Sequence, residues 1–233
     1  SMCLTVDVPV PGNREMDLVT GFTMPPRFNT KSMFSFATHP RWSLNIALRG
    51  HLGMANFAQA QIGDKDGKPA APANVGHAFD RSVDWDRAAE MVKAWGGPFA
   101  IKGVMSVGDA KRAVDIGASA VIVSNHGGRQ LDGAPATIDC LGPIVDAVGD
   151  RVEVILDGGI RRGVQVLKAL ALGAKACMIG RPYLYGLAAA GQPGVERVLS
   201  ILQNEIKRDM TLLGVCKIDD INRDFIRHRL RDI

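Results

Sequence analysis

Polar side chains that could carry chemistry follow five apolar runs of this sequence, at the point where each run ends. They are Thr5 and Asp7, Lys102, Ser124 and His126, Asp157, and Gly180 with Arg181. In (β/α) barrels the carboxyl ends of the parallel strands meet at one mouth, and barrel enzymes place their active sites there. A single polar residue at a strand end is an ordinary turn residue, whereas five successive runs ending in this way predict one shared site.

The segment Ser124–Asp132 (SNHGGRQLD) contains the densest set of reactive side chains. His126 is a candidate general base, because histidine commonly takes this role near neutral pH. Arg129 suits a carboxylate, which a guanidinium holds through two hydrogen bonds. Asp7 is placed to orient His126 and to stabilise its imidazolium form. Arg14 follows the Asp7 run closely enough to reach the same mouth.

Two glycine-rich turns follow the last two apolar runs, at Asp157–Gly163 (DGGIRRG) and Ile179–Pro182 (IGRP). Backbone N–H groups of such turns, placed before helix N-termini, bind phosphate, and in barrels the loops after the last strands often do so. Arg161 and Arg181 add positive charge. Lys102 ends a run in apolar surroundings and therefore needs an anionic or electron-rich partner. A Schiff-base lysine and a cation that stabilises a reduced cofactor ring both fit this pattern.

Val- and Ile-rich runs alternate with amphipathic segments, which is typical of a parallel α/β array. The predicted strands are continuously apolar, as in strands buried on both faces: Cys3–Val8, Phe99–Lys102, Ala120–Ser124, Val152–Asp157 and Ala176–Ile179. The predicted helices are Val83–Trp95, Val107–Ile116, Thr137–Val148, Gly163–Leu172, Val195–Leu213 and Ile218–Leu230. A long insertion at about 25–80 interrupts the alternation. Its apolar residues from Trp42 to Leu48 fit either buried core or an amphipathic segment at a membrane surface.

Composition identifies a globular protein and argues against several other classes. The 233 residues are 46% hydrophobic and 22% charged, and 28 Lys and Arg against 24 Asp and Glu give a net charge of +4. The positive excess is small and no basic run is interleaved with aromatic residues, so we expect no nucleic-acid binding. The four cysteines are far apart, which favours a reducing compartment and no metal site. No run approaches the roughly 20 apolar residues of a membrane-spanning helix.

Five motifs together resemble the FMN-dependent α-hydroxy acid dehydrogenase and oxidase family, over nearly the whole chain. They are Leu4–Glu15 (LTVDVPVPGNRE), Ile101–Val104 (IKGV), Ser124–Gly133 (SNHGGRQLDG), Asp157–Gly163 (DGGIRRG) and Ala169–Pro182 (ALALGA to IGRP). Within this family the sequence is most similar to the bacterial membrane-associated, quinone-linked L-lactate and mandelate dehydrogenases. The motifs that carry this closer similarity are HPRW at His39–Trp42, WGGP at Trp95–Pro98 and MTL at Met210–Leu212.

The resemblance implies a (β/α)₈ TIM barrel that holds FMN non-covalently at its C-terminal mouth. His126 would be the active-site base with Asp7 as its charge partner, and Arg129 and Arg14 would grip the substrate carboxylate. Lys102 would stabilise the anionic reduced flavin. The residues expected to contact FMN are Thr5, Lys102, Ser124, Asp157, Gly158, Gly159, Arg161, Gly180 and Arg181. The implied reaction is the oxidation of an L-2-hydroxy acid to the 2-keto acid.

Only the last five of the eight βα units are recognisable, so we interpret residues 1–233 as the C-terminal part of one barrel domain. Five strands cannot close such a barrel, and we expect an N-terminal part of about a hundred residues or more to complete it. The other implied partners are a quinone or cytochrome acceptor and identical subunits in a tetramer. The implied location is the cytoplasm, with peripheral attachment to the inner face of the cell membrane.

Three alternatives stay open on the sequence alone. The first is a soluble oxidase of the same family, which passes its electrons to oxygen. The second is a non-catalytic barrel fragment that binds a phosphate ligand, and the third is another type of FMN barrel enzyme. The presence of Asp7, Lys102, His126 and Arg129 argues against the second. The SNHGGRQLD motif together with Arg14 favours a 2-hydroxy carboxylate over the third.

Overall fold

The structure is a computed structural model that describes residues 1–20, 29–49 and 80–227. The chain divides into two compact units. The first comprises Ser1–Val8 and Ser82–Ile233, and the second comprises Pro9–Arg81. All five predicted strands lie in the first unit, together with every predicted site residue except Arg14.

The first unit is built on one parallel sheet. Its strands are β1 (Met2–Thr5), β2 (Phe99–Val104), β3 (Ala120–Val123), β4 (Glu153–Asp157) and β5 (Ala176–Met178). Each strand pairs with the next one along the chain, so the spatial order is β1-β2-β3-β4-β5. This order brings the carboxyl ends of all five strands to one edge, as in a barrel wall. The five predicted strands are confirmed, with ends that differ by up to three residues.

The described residues form helices whose bounds largely follow the predictions. They are α1 (Glu15–Thr20), α2 (Thr30–Thr38), α3 (Pro40–Arg49), α4 (Trp85–Trp95), α5 (Val107–Asp115), α6 (Thr137–Val148), α7 (Gly163–Ala171), α8 (Arg181–Ala190) and α9 (Gln192–Leu213). The predictions for α4 to α7 and for α9 are confirmed, with ends that differ by up to three residues. The sequence analysis does not predict α1, α2 or α8, although Pro182 in the first turn of α8 is a recognised start signal.

The predicted helix Ile218–Leu230 is wrong over the residues that the structure describes. Two short 3₁₀ helices, Ile218–Asp220 and Arg223–Phe225, take its place. The Asn222 side chain caps the second one by accepting the backbone N–H two residues later, and Ile221 is extended and buried against α7. The apolar spacing therefore belongs to a packed connection rather than to a continuous helix. Residues 228–233 lie outside the described part of the chain.

The core of the first unit lies between the sheet and its helices. Its largest fully buried side chains include Phe99, Ile101, Val121, Val123, Val154, Leu156, Leu141 and Ile144. All four residues of β3 are buried, which explains why this strand is continuously apolar in sequence. Burial also raises the pKa of the Cys177 thiol to about 11. This thiol therefore stays neutral and packs as a small apolar group.

In the second unit, α2 and α3 are joined by a ring contact. The Phe36 ring stacks on Trp42, with 5.5 Å between the ring centroids. Trp42, Leu44 and Leu48 on α3 are exposed, so these three residues are not buried core in this chain. The rest of the predicted insertion, from residue 50 to residue 79, lies outside the described residues. Among the helices that are described, none is both long and apolar enough to cross a membrane.

Candidate active site

A hydrogen-bonded triad joins the carboxyl ends of β2, β3 and β4. The Lys102 ammonium donates to Ser124 Oγ at 2.9 Å and lies 3.0 Å from Asp157 Oδ2. The Ser124 hydroxyl donates to the same Asp157 oxygen at 2.7 Å. Ser124 is fully buried, and the Lys102 and Asp157 side chains are only 13% and 17% exposed. The structure thus places an anionic partner, the Asp157 carboxylate, against the lysine that required one.

The Ser124 hydroxyl connects this triad to His126. Its oxygen accepts the His126 N–H at 3.1 Å as well as the Lys102 ammonium, while its proton goes to Asp157. One donated and two accepted hydrogen bonds use the full capacity of a hydroxyl group. Ser124 therefore fixes the ammonium and the histidine backbone relative to each other. Its contact with a flavin stays a prediction.

His126 lies just beyond β3 and is paired with a carboxylate from beyond β1. His126 Nδ1 is 3.2 Å from Asp7 Oδ1, and the Asp7 side chain is 12% exposed. The structure therefore brings together the two residues that the sequence analysis pairs as base and charge partner. His126 is also the only non-glycine residue of the described part with a positive φ, 57°. Backbone strain of this kind is concentrated at functional sites, where surrounding contacts maintain it.

Asn125 holds the loop in which this strained residue lies. Its Oδ1 accepts the Gly128 N–H at 3.1 Å, and its Nδ2 donates to the Pro135 carbonyl at 3.1 Å. The side chain therefore links the two ends of the loop after β3, which carries the exposed Arg129. The sequence analysis did not single out Asn125, because a residue between Ser124 and His126 shows no signal of its own.

A β-bulge at Gly103 sets the position of Asp7. The register between β2 and β3 shifts at this residue, which has a φ of 107°. A Cβ atom on Gly103 would lie 2.8 Å from Asp7 Cβ and 3.0 Å from the Asp7 backbone nitrogen. Only glycine therefore lets the segment after β1 lie this close to β2. The Val6 N–H, which donates to the Lys102 carbonyl at 2.9 Å, keeps the two segments together.

A cavity of about 470 Å³ opens beside the turns that the sequence analysis assigns to phosphate. Its lining includes Gly127, Gly128, Gly158, Gly159 and Arg181. Arg181 Nη2 donates to the Gly127 carbonyl at 2.5 Å, which links the loop after β3 to the start of α8. A Cβ atom on Gly159 would meet nothing within 4 Å, so this turn has open space next to it. A ligand group can therefore approach the backbone there closely.

The two glycine-rich turns differ in how the helices after them are capped. No side chain caps the start of α8. At α7, Gln165 Oε1 accepts the N–H groups of Arg161 and Arg162 at 2.7 and 2.9 Å, and Glu205 accepts the first N–H of the helix at 2.7 Å. The protein itself therefore satisfies these N–H groups at the start of α7. Of the two helix starts, α8 is the one without a side-chain acceptor.

Glu205 is another residue of this site that the sequence analysis does not single out. It lies 42 residues after Gly163, and no local signal connects the two residues. Gln165, in contrast, follows Arg162 at the spacing of a capping box. The Gly163 N–H, together with the Arg162 guanidinium, holds the pKa of the Glu205 carboxyl below its usual value. This contact therefore stabilises the fold fully at pH values above the ordinary pKa of the carboxyl. The stabilisation is lost as the pH falls through the lowered pKa of Glu205.

The remaining predicted residues are distributed over both units. Thr5 ends β1 and pairs in register with Lys102, and Arg161 is exposed after β4. Arg14 belongs to the second unit and immediately precedes α1. Across residues 1–20, 29–49 and 80–227, no group of three His, Cys, Asp or Glu side chains could hold a metal ion.

A comparison with protein families decides the assignment. The model described as FMN-dependent dehydrogenase matches residues 1–228. The chain belongs to this family. The family resemblance stated from the sequence motifs is therefore confirmed.

Relatives of this FMN-dependent dehydrogenase chain carry several names. An L-lactate dehydrogenase of Caulobacter vibrioides is 39% identical over 230 residues, which are 99% of this chain and 60% of that protein. An L-lactate oxidase of Nostoc sp. is 41% identical over 97% of this chain and 56% of that protein. A pre-mycofactocin synthase of Mycolicibacterium smegmatis is 47% identical over 89% of this chain and 50% of that protein.

Solved structures in the FMN-dependent dehydrogenase family establish the fold. A monotopic membrane protein, (S)-mandelate dehydrogenase, superimposes with a TM-score of 0.88 at 38% identity, over 97% of this chain and 59% of that one. This chain therefore spans 50–60% of the length of these relatives. Its five βα units form part of a (β/α)₈ TIM barrel, as the sequence predicts.

Proposed function

We propose that the complete protein binds FMN and oxidises an L-2-hydroxy acid to the 2-keto acid, passing the electrons to a quinone or cytochrome acceptor. The observation that carries the proposal is the continuous network from Asp7 and His126 through Ser124 to Lys102 and Asp157. This network puts a base and a cation at one edge of the sheet. Relatives named L-lactate dehydrogenase and (S)-mandelate dehydrogenase support the substrate class.

The residues present fit FMN by the chemistry of their donors and acceptors. Two guanidinium groups, open space beside Gly159 and Gly180, and a helix start without a side-chain cap suit a phosphate. The residues proposed to hold the phosphate are Gly158, Gly159, Arg161, Gly180 and Arg181. The Asp157 carboxylate suits the ribityl hydroxyls as an acceptor. The residues proposed for the flavin ring are Thr5, Lys102 and Ser124. When bound, FMN would supply the acceptor for the two electrons that leave the substrate.

His126 is proposed as the general base. Because its Nδ1 is engaged with Asp7, its Nε2 is the nitrogen left for the substrate. Oxidation of a hydroxy acid to a keto acid removes two electrons and two protons. His126 takes one of these protons while Asp7 stabilises the imidazolium, and the other proton would go to FMN with the two electrons. Arg129 holds the substrate carboxylate, which places the reacting carbon at the base, and Arg14 is proposed for the same role from the family resemblance alone. Lys102 would supply a positive charge that stabilises the electron acceptor.

The complete protein is expected to show the absorption of bound flavin, bleached without oxygen by an L-2-hydroxy acid. Anaerobic titration with L-lactate, (S)-mandelate and glycolate in turn identifies the acid, and D-lactate is the control for handedness. A flavin spectrum that none of these acids bleaches would contradict the substrate class. Protein that binds no flavin would contradict the cofactor.

A substitution at the Gly103 bulge tests how much the pairing of Asp7 with His126 contributes to the rate of flavin reduction. Gly103→Ala is expected to slow substrate-driven flavin reduction by about 10- to 100-fold, because the new methyl group displaces Asp7 and a small misplacement at a catalytic group has effects of this size. Anaerobic stopped-flow absorbance measures the rate.

Gly117→Ala is the matched control for this substitution. Gly117 also has a positive φ, 90°, but a Cβ atom there would meet only Val92, at an ordinary 3.5 Å. Both variants carry the same kind of backbone strain, and only one of them touches the site. Equal rates of flavin reduction in the two variants would refute the role of the bulge.

The acceptor has a second candidate, oxygen, because an L-lactate oxidase is among the relatives. The reduced protein is to be mixed in stopped flow with oxygen and, separately, with a soluble quinone. Faster reoxidation by the quinone supports the dehydrogenase, and faster reoxidation by oxygen supports the oxidase.

We also propose that the complete protein lies in the cytoplasm and contacts the inner face of the cell membrane through α3. Trp42, Leu44 and Leu48 on this helix are 48%, 60% and 75% exposed. Leu44 and Leu48, one turn apart, form an exposed apolar strip on α3, and Trp42 is exposed on another side of the helix; exposed apolar and Trp side chains suit the boundary between lipid headgroups and acyl chains. The monotopic membrane (S)-mandelate dehydrogenase is a relative that supports this proposal.

Replacing Trp42, Leu44 and Leu48 together by Gln is expected to release the complete protein from vesicles of anionic lipid in a co-sedimentation assay. The same change at Leu212 and Leu213, exposed at the end of α9, is the control. Equal binding of both variants would contradict a role of α3 in membrane attachment.

The outer strands of the sheet are proposed to pair with the N-terminal part of the same barrel. Met2 on β1 and Met178 on β5 are 45% and 39% exposed although both strands are apolar. Natural sheets protect such edges, and closing a barrel covers both at once. Assembly of the complete protein into a tetramer is proposed from the family resemblance alone.

A further inference from the structure

Helix α9 contacts the start of α7 through one carboxylate. Glu205 Oε2 accepts the Gly163 N–H at 2.7 Å, and its Oε1 lies 2.9 Å from Arg162 Nη1. The Glu205 side chain is 13% exposed, whereas the Arg162 side chain is 68% exposed. The carboxylate is therefore held between the two helices, and the guanidinium approaches it from the solvent side.

The two helices are too close at this point for any side chain at Gly163. A Cβ atom there would lie 2.6 Å from Glu205 Cβ and 2.6 Å from the Ile206 backbone nitrogen. Neither atom can move away unless α9 itself shifts. The position of the turn Asp157–Gly163 therefore depends on the position of α9.

The same contact determines which of two neighbouring arginines faces α9. Arg162 has an extended backbone, with φ −136° and ψ 153°, and its guanidinium contacts Glu205. Arg161 is exposed after β4. Gln165 also fixes this backbone, because its Oε1 accepts the N–H groups of both Arg161 and Arg162.

We propose that Glu205 is a positioning residue for the phosphate of the cofactor. By pairing with Arg162 and capping α7, it holds the turn so that the Arg161 guanidinium and the glycine N–H groups of Gly158–Gly159 are left for the phosphate. This inference rests on the proposed binding of FMN. It follows that Glu205 contributes to the part of the affinity that depends on the phosphate and little to the part that depends on the flavin ring.

FMN and riboflavin separate these two parts, because the two ligands differ only in the phosphate. The complete protein, freed of cofactor, is to be titrated with each ligand while flavin fluorescence is followed. Glu205→Gln keeps an oxygen acceptor for the Gly163 N–H and loses the charge. We expect it to weaken FMN binding by about tenfold and riboflavin binding by less than about twofold. Glu90→Gln, which removes the carboxylate of the exposed Arg87–Glu90 pair, is expected to change neither affinity.

Equal weakening of both ligands, or no change in either, overturns this inference. If Glu205→Gln does not fold, Arg162→Met replaces it in the same titrations, since it removes only the exposed partner of the pair. The turn then loses its contact with α9 through Arg162, and the same selective loss of FMN affinity is expected. Wild-type protein that binds neither ligand contradicts the proposed function instead, so the two failures are distinguishable.

Discussion

Replacing His126 by Gln is expected to slow substrate-driven flavin reduction in the complete protein by about 10²- to 10⁴-fold, the usual contribution of a general base. The proton acceptor is lost, while the contacts among Lys102, Ser124 and Asp157 do not involve the imidazole and are kept. Bound FMN is therefore expected to stay, and anaerobic stopped-flow absorbance of the flavin measures the loss of rate.

His39→Gln is the matched control for this substitution. His39 is exposed between α2 and α3, and its Nδ1 contacts the Ser35 carbonyl at 2.7 Å rather than a carboxylate. The rate of flavin reduction in His39→Gln is expected to equal that of the wild type. The rate in Asp7→Asn is expected to lie between those of the wild type and His126→Gln, because this variant loses only the charge that stabilises the imidazolium. Unchanged turnover in His126→Gln would favour the non-catalytic, phosphate-binding alternative.

The residues of this site that lie at the ends of the predicted strands could be predicted from the sequence. His126 follows a fully buried strand, and Asp157 ends another, so a parallel sheet necessarily brings them to one edge. The pairing of Asp7 with His126 was predicted for the same reason, since both follow strands of that sheet. The anionic partner of Lys102 could not be named, because it depends on the register of three strands and on one serine rotamer.

The parts that sequence reasoning missed depend on close approach between distant segments. Gly103 has no side chain, so its effect on Asp7 is visible only when the two backbones lie together. Glu205 is one of several acidic residues on α9, and periodicity does not distinguish the one that meets α7. The predicted helix Ile218–Leu230 failed because burial of Ile221 against α7 favoured an extended residue at that point.

Lys102→Met is expected to lower the free energy of unfolding by about 3 kcal/mol, since breaking a buried ion pair leaves one charge without its partner. Asp157 would keep only the Ser124 hydroxyl as a donor, and its 17% exposure allows little compensation by solvent. Urea unfolding of the complete protein without FMN measures this effect, so that a change in cofactor binding does not contribute.

Arg87→Met is the control, because it breaks an ion pair of nearly the same length, 2.9 Å, whose side chains are 60% and 67% exposed. Its expected cost is at most about 1 kcal/mol. The double variant Lys102→Met/Asp157→Asn is expected to be more stable than Lys102→Met alone, with a coupling energy of about 1–3 kcal/mol. Additive effects in this cycle would mean that Lys102 and Asp157 do not stabilise each other, and that strand register alone sets the distance between the base and the cation.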